Sequence, residues 1–204
     1  MHPRTARTLP EVQPILLTPR REPFDDPDWQ FEPKYDGYRG LLYGTRKDCW
    51  LRSKRGNILK RFQELCYWVR EKLPVKEAIL DGEVVALDSD GRQNFRDLLT
   101  GRGNLLYAAF DARWVDGKDL RWLPLTRRKR ALTRLVPATR SVLSEVFSIQ
   151  ERGRDLFAAV ERLDPEGIVA KRKANPYEPG VTWCKIKDRI YPPVEGRGDL
   201  FHPR

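Results

Sequence analysis

The sequence predicts an α+β fold in which antiparallel sheets are flanked by helices. Three observations point there. Runs of strand-like residues recur along the chain with helical stretches interspersed. Gly-containing or charged turns separate neighbouring runs. The chain has 204 residues, 40% hydrophobic and 33% charged. That is ordinary globular composition, with enough length to bury a core without disulfide or metal staples.

Residues 1–28 carry Pro3, Pro10, Pro14, Pro19, Pro23 and Pro27. Proline fixes φ and removes a donor, so this stretch reads as an extended arm wrapping the domain. Strand signals follow over Trp29 to Pro33, Tyr38 to Thr45 and Cys49 to Arg52. Arg61 to Leu73 places Phe62, Leu65, Cys66, Val69 and Leu73 at amphipathic helical spacing. Ala78 to Leu87 is a β-type run interrupted by Asp81-Gly82-Glu83. Phe95 to Leu99 reads as a short helix and Leu105 to Phe110 as a buried strand. Asp116-Gly117 is a hairpin turn signal. Arg127 to Leu135 forms a basic helix, Val142 to Phe147 a strand and Asp155 to Leu163 a helix. Ile168 to Lys171 and Thr182 to Lys187 close the chain as two strands. No internal repeat or low-complexity tract is present. The expected division is an arm over 1–28, one domain over 29–190 and a tail over 191–204.

Composition removes several chemistries. The only histidines are His2 and His202, near the two ends. A histidine triad or a multi-histidine metal site inside the fold is therefore excluded. Cys49, Cys66 and Cys184 are far apart and form no CxxC pair, so they read as reduced thiols. No run of eighteen apolar residues exists, so no membrane span is expected. The basic start, followed only by Ile15-Leu16-Leu17, is too short an apolar stretch for a signal peptide. Chemistry must come from Lys, Arg, Asp, Glu, backbone groups or a carboxylate-held metal. The net charge of +10 suggests a polyanionic partner, although many basic proteins use such charge only for solubility. The densest cluster is Arg127, Arg128, Lys129, Arg130 and Arg134. A solvated outer face is the plain reading of it, and a phosphate track the sharper one.

Four segments combine charge with apolar strands. Lys34-Tyr35-Asp36-Gly37-Tyr38-Arg39 puts a lysine before a turn and an arginine into the next strand. Asp81-Gly82-Glu83 lies inside an apolar run, where a buried glutamate is costly unless a cation or donor meets it. Glu166 leads the apolar run Gly167-Ile168-Val169-Ala170-Lys171. Lys185 and Lys187 share one strand face, where like charges repel unless an anion sits between them. Each signal alone is weak, and the set in this order is far more specific.

That order resembles the covalent nucleotidyltransferases, most closely the ATP-dependent DNA ligases of the bacterial ligase D type. Lys34 to Arg39 matches the family's KxDGxR motif. Ser53-Lys54-Arg55-Gly56 is similar to SRxG, with lysine in place of arginine. Asp81-Gly82-Glu83, Tyr107 to Asp111, Glu166 to Lys171 and Lys185-Ile186-Lys187 resemble the remaining motifs of the adenylation domain. The resemblance covers roughly residues 12–190 and implies the nucleotidyltransferase (ATP-grasp-like) fold. It implies that Lys34 attacks the α-phosphorus of ATP, giving a phosphoramidate and releasing pyrophosphate. A lysyl amine must be neutral to attack, and its reference pKa is about 10.4, so the site must favour deprotonation. Lys185 and Lys187, with a metal ion, would do so by like-charge repulsion and would stabilise the phosphate in flight. By the same resemblance Glu32, Arg39, Lys54, Glu83, Phe110 and Lys171 bind the nucleotide, with Phe110 on the base. Glu83 and Glu166 hold Mg²⁺, and Asp36 orients the turn or the metal. AMP would then pass to a 5′-phosphate in nicked DNA, in repair or recombination, and a 3′-hydroxyl would displace it. The expected location is cytoplasmic and nucleoid-associated.

Two departures from the family pattern carry expectations. Residues 188–204 are too few for the OB-fold that family members append, so weak sealing is expected unless a separate DNA-binding or repair protein supplies that function. Glu178 to Thr182 replaces a longer loop with an arginine-serine pair, which is expected to weaken nucleotide or DNA contacts. The competing readings are an RNA ligase, a capping guanylyltransferase and a non-catalytic nucleic-acid-binding module.

Overall fold

A computed structural model describes residues 9–139, 141–160 and 166–187. In chain order the elements are β1 (Leu17–Pro19), β2 (Asp25–Pro33), β3 (Tyr38–Gly44), β4 (Cys49–Ser53), α1 (Gln63–Lys72), β5 (Ala78–Leu87), α2 (Phe95–Thr100) and β6 (Asn104–Val115). Then come β7 (Lys118–Asp119), α3 (Leu125–Leu135), β8 (Leu143–Glu145), β9 (Ile149–Arg152), α4 (Gly153–Val160), β10 (Gly167–Arg172) and β11 (Trp183–Lys187). One sheet runs β1-β11-β10-β2-β9 and the other β4-β3-β5-β6-β7, with β8 against β6. Most pairings are antiparallel, as expected. The exceptions, β1 with β11 and β6 with β8, are parallel.

Each sheet sorts its side chains by the two-residue period of a strand. On one face of the second sheet, Tyr38, Leu42, Leu80, Val84 and Tyr107 pack with Leu65 and Val69 of α1, Leu98 of α2 and Leu132 of α3. On the outer face of the first sheet, Trp29, Phe31, Ile168, Ala170 and Ile186 pack on Leu156 and Val160 of α4. The inner faces meet through Leu41, Tyr43, Ile79, Val169 and Trp183, with Val12 and Ile15 inserted from the chain's start. The polar residues left on these inner faces, chiefly Glu32, Arg39, Glu83, Lys171, Lys185 and Lys187, therefore converge.

Several elements differ from the sequence reading, each for a physical reason. β5 is continuous through Asp81-Gly82-Glu83. Asp81 is neutralised by Arg39 and Arg113, and Gly82 leaves room for the ring of Tyr107. β6 extends five residues past Phe110 because the charges of Asp111 and Arg113, which break its apolar run, pair with each other and with neighbours. Register shifts at two points of the β5–β6 pairing leave Phe110 and Arg113 without a direct partner across the ladder. Such bulges re-aim side chains. The stretch read as an arm contributes β1 and the start of β2, and Pro27 is tolerated where β2 and β9 lose register between Asp25 and Gln30. β9 was missed because its residues Ile149 to Arg152 are mostly polar and exposed. The hairpin at Asp116-Gly117 joins β6 and β7, with φ of 45° and 84° at the two turn residues. Helix α4 is described over Gly153–Val160, and the remainder of its expected span lies outside the described residues, as do both histidines and the 191–204 tail.

Candidate active site

A cleft opens between the inner faces, lined by residues that include Glu32, Lys34, Arg39, Glu83, Phe110, Lys171 and Trp183. Lys34 sits just past the end of β2, where its backbone N–H donates to the Gly167 carbonyl at 2.8 Å and its carbonyl accepts from Glu166 N–H at 3.2 Å. These bonds fix the turn beside the start of β10. The Lys34 ammonium donates to Glu166 Oε2, and the Lys187 ammonium pairs with Glu166 Oε1. One buried carboxylate thus bridges two lysines from different strands. These lysines hold the Glu166 carboxyl below its ordinary range against the opposing effect of burial.

At the other end of the cleft, Glu32 is buried and shared. It pairs with Lys171 and, at 3.3 Å, with Lys129, and it accepts from Gln30 Nε2 at 3.0 Å. The Lys171 ammonium lies 4.3 Å from the Phe110 ring centre and 4.1 Å from that of Trp183. Those rings meet edge to face at 5.9 Å. Burial pulls the Lys171 amine down to about 8 despite Glu32. Glu83 faces the cleft from β5, and desolvation pushes its carboxyl up to about 7 against the pull of Lys34 and Arg39.

Arg39 is aimed from behind. Its Nε and Nη2 donate to both oxygens of Asp81, at 3.1 and 2.9 Å, and Nη1 donates to the Ile15 carbonyl at 2.6 Å. Asp81 also accepts from Arg113 at 2.7 Å and from the Tyr177 hydroxyl at 2.9 Å. Arg113 in turn contacts Asp111 at 2.6 Å, and Asp111 accepts two bonds from Arg128. The chain Arg39–Asp81–Arg113–Asp111–Arg128 therefore ties β3, β5, β6 and α3 together beneath the cleft.

A family model described as the ATP dependent DNA ligase domain matches residues 18–187. The chain belongs to this family. The multifunctional non-homologous end joining DNA repair protein LigD of Mycobacterium tuberculosis H37Rv is 32% identical over 164 residues, or 78% of this chain and 21% of that protein. The SPbeta prophage-derived DNA ligase-like protein LigB of Bacillus subtilis is 29% identical over 194 residues, or 90% of this chain and 70% of that protein. Mycobacterial DNA ligase D complexed with ATP and MES superimposes with a TM-score of 0.71 at 28% identity, covering 86% of this chain and 60% of that one. The ligase domain described here thus spans about a fifth of the length of its mycobacterial relative.

Within this ligase domain, Glu32, Lys34, Arg39, Glu83, Phe110 and Lys171 line the cleft, and Glu166 and Lys187 reach it through the Lys34 contact. Lys185 lies two residues from Lys187 on the same strand face and lines a neighbouring groove. Lys54 does not join them: it is exposed on the turn after β4. Asp36 is buried, with its backbone N–H donating to Gln93 Oε1 at 2.9 Å. The basic helix is only partly a solvated face. Arg128 and Lys129 are buried, pairing with Asp111 and with Glu32 and Glu145. The sequence reading missed Arg113 and Tyr177, took Arg128 and Lys129 as a solvated face or phosphate track, and gave Asp111, at the end of a motif, no partner. The available signal was Asp111 and Arg113 two apart in a strand, a spacing that puts opposite charges side by side on one face.

Among the described residues, no three His, Cys, Asp or Glu side chains are grouped to hold a metal. Glu83 and Glu166 alone would leave an ion most of its ligands to take from water and phosphate. That is the donor set Mg²⁺ accepts, so the residues present fit it.

Proposed function

We propose that this ligase domain loads Lys34 with AMP from ATP and passes the AMP to the 5′-phosphate of nicked DNA, in a DNA repair setting. The observation that carries the reading is the Lys34–Glu166–Lys187 bridge at the mouth of a cleft whose far end is aromatic and cationic. Lys34 Nζ attacks the α-phosphorus, the bond to the β-phosphate oxygen breaks, and pyrophosphate leaves with its electron pair. The AMP then moves from the amine to a 5′-phosphate oxygen, freeing Lys34, and a 3′-hydroxyl displaces AMP to seal the strand.

The residues divide this work. An ammonium paired with a carboxylate has no lone pair to give, so Glu166 must release Lys34, and the amine must shed its proton, before attack. Lys187, already on the other oxygen of Glu166, is placed to turn toward the phosphate when that happens. Arg39, held rigid by Asp81, presents its charge without reorganisation. Phe110 and Trp183 offer the base its apolar contact. Mg²⁺ held by Glu83 and Glu166 would supply charge neutralisation on the phosphates.

The test is incubation with Mg²⁺ and α-labelled ATP. An acid-labile adduct of one AMP per chain is expected, located on Lys34 by peptide mass spectrometry and absent from Lys34→Ala. Undiminished labelling of Lys34→Ala would place the nucleophile elsewhere and overturn the proposal.

A further inference from the structure

A second groove, distinct from the nucleotide cleft, lies along the edge of the first sheet. Its lining is Pro19, Arg20, Arg21, Lys185 and Lys187, four cations and no acid. Backbone pairing builds it. β1 runs parallel to β11 with Leu17 beside Trp183 and Pro19 beside Lys185. The Arg20 N–H donates to the Lys185 carbonyl at 2.9 Å, which carries Arg20 and Arg21 alongside the last residues of β11. The Arg20 guanidinium rests 3.8 Å over the Phe24 ring, so the rim cation is held in place. Leu17 and Trp183 line the nucleotide cleft, whereas Pro19, Arg20, Arg21 and Lys185 line the groove. The two cavities thus follow one another along β1 and β11. Lys187 of the groove pairs with Glu166, which also holds Lys34 of the cleft.

We propose that this groove is a phosphate-chain subsite, with Arg20 and Arg21 as its dedicated contacts. The inference rests on the adenylation reading above, because that reading puts the α-phosphate at Lys34. Whatever is attached beyond that phosphate on the side away from the base is anionic and must leave or arrive along a cationic path. Lys187 is already balanced by Glu166, but Arg20, Arg21 and Lys185 line the groove with no carboxylate among its lining residues, and an anion between them relieves their mutual repulsion. Two anions share the required chemistry: the β- and γ-phosphates of ATP, and the 5′-terminal phosphates of a nucleic-acid strand. Arginine forks suit either one.

The experiment compares the full chain with Arg21→Glu and with Arg20→Ala/Arg21→Ala. Both arginines are exposed, and the Arg20 backbone bond survives any side chain, so circular dichroism and the thermal midpoint should match wild type. The first arm measures formation of the Lys34 adduct against ATP concentration, with pyrophosphate as competitor. The second uses chains already loaded with AMP and measures binding of a nicked duplex carrying a 5′-phosphate across a salt series, with an unphosphorylated nick as control. A rise of roughly tenfold in the ATP concentration needed, with weakened inhibition by pyrophosphate, assigns the groove to the triphosphate tail. A lower salt dependence, by about one in log–log slope for each cation removed, with loss of the preference for a 5′-phosphate, assigns it to the strand. Variants that match wild type in both arms overturn the subsite. If wild type itself forms no adduct, it is the adenylation reading that has failed, and the two failures are distinguishable.

Discussion

Asp81 has no exposed surface and accepts from two arginines and a tyrosine. Its carboxyl is driven well below the usual carboxylate range by Arg39 and Arg113, which outweigh the cost of its burial. Removing one partner of such a buried cluster leaves the other charges uncompensated, which typically costs about 3–5 kcal/mol. Asp81→Asn keeps the shape and removes the charge, so Arg39 loses one charged oxygen of its fork and Arg113 loses its partner across the sheet. The expected outcome is a urea midpoint shifted down by that free energy, together with slower adduct formation on Lys34 even in chains that remain folded. Unchanged stability would show that Asp111 and Tyr177 alone hold Arg113, whose guanidinium carbon lies 2.9 Å from the Tyr177 ring centre.

β5 shows how a strand can carry chemistry without losing its packing. Odd positions Ile79, Asp81 and Glu83 face the inner side, while Leu80, Val84 and Ala86 join the helix-covered core. Gly82 is needed between them: a Cβ there would lie 2.6 Å from Tyr107 Cζ. The ring cannot retreat cheaply, because the single Tyr107 hydroxyl proton is held between the Gly40 and Leu80 carbonyls, 2.9 and 3.0 Å from the hydroxyl oxygen. Gly82→Ala is therefore expected to cost about 1–3 kcal/mol as overpacking, read as a lower thermal midpoint. Tyr107→Phe in the same chain frees the ring and should restore only part of the loss, since the Cβ would still lie 2.8 Å from the Ala108 carbonyl oxygen. The sequence displayed much of this strand. Its apolar period and its embedded acids were both legible, and so was the lysine-turn-arginine of Lys34 to Arg39. What stayed hidden were partnerships across long separations. Asp81 meets Tyr177 across 96 residues, and Lys129 meets Glu32 from a helix whose charge run looks like a solvent face. Local pattern reports which face a residue takes, and only the pairing of strands reports what stands opposite. Glu32 was legible as a candidate by motif, yet its three partners come from β2, β10 and α3.

The molecule is two sheets closed on each other, and acid should open it. Asp111 and Asp81 are buried on neighbouring strands of the second sheet, and Arg39, Arg113 and Arg128 hold their carboxyls below the ordinary range although burial opposes this. In the unfolded chain these groups protonate near the aspartate reference of about 3.9. In the folded chain they stay ionised to lower pH. Between the two values the unfolded state binds more protons, so stability falls as pH drops. Above about pH 5 the contribution is complete, because both states are ionised there. The two losses are coupled, since Arg113 is paired to both carboxylates, and Tyr177 connects Asp81 to the segment before β1 by accepting from Ile15 N–H at 2.8 Å. Urea unfolding measured from pH 7 to pH 3 should give a free energy that rises as pH falls towards about 5, where folded Glu83, pushed up to about 7, takes up its proton, and a steep decline below it. Asp111→Asn should start lower and decline less, because one of the linked protons has been removed in advance. A slope identical to that of the wild-type chain would mean that the acid sensitivity resides in the exposed carboxylates and not in the buried charge chain that ties β3, β5 and β6 to α3.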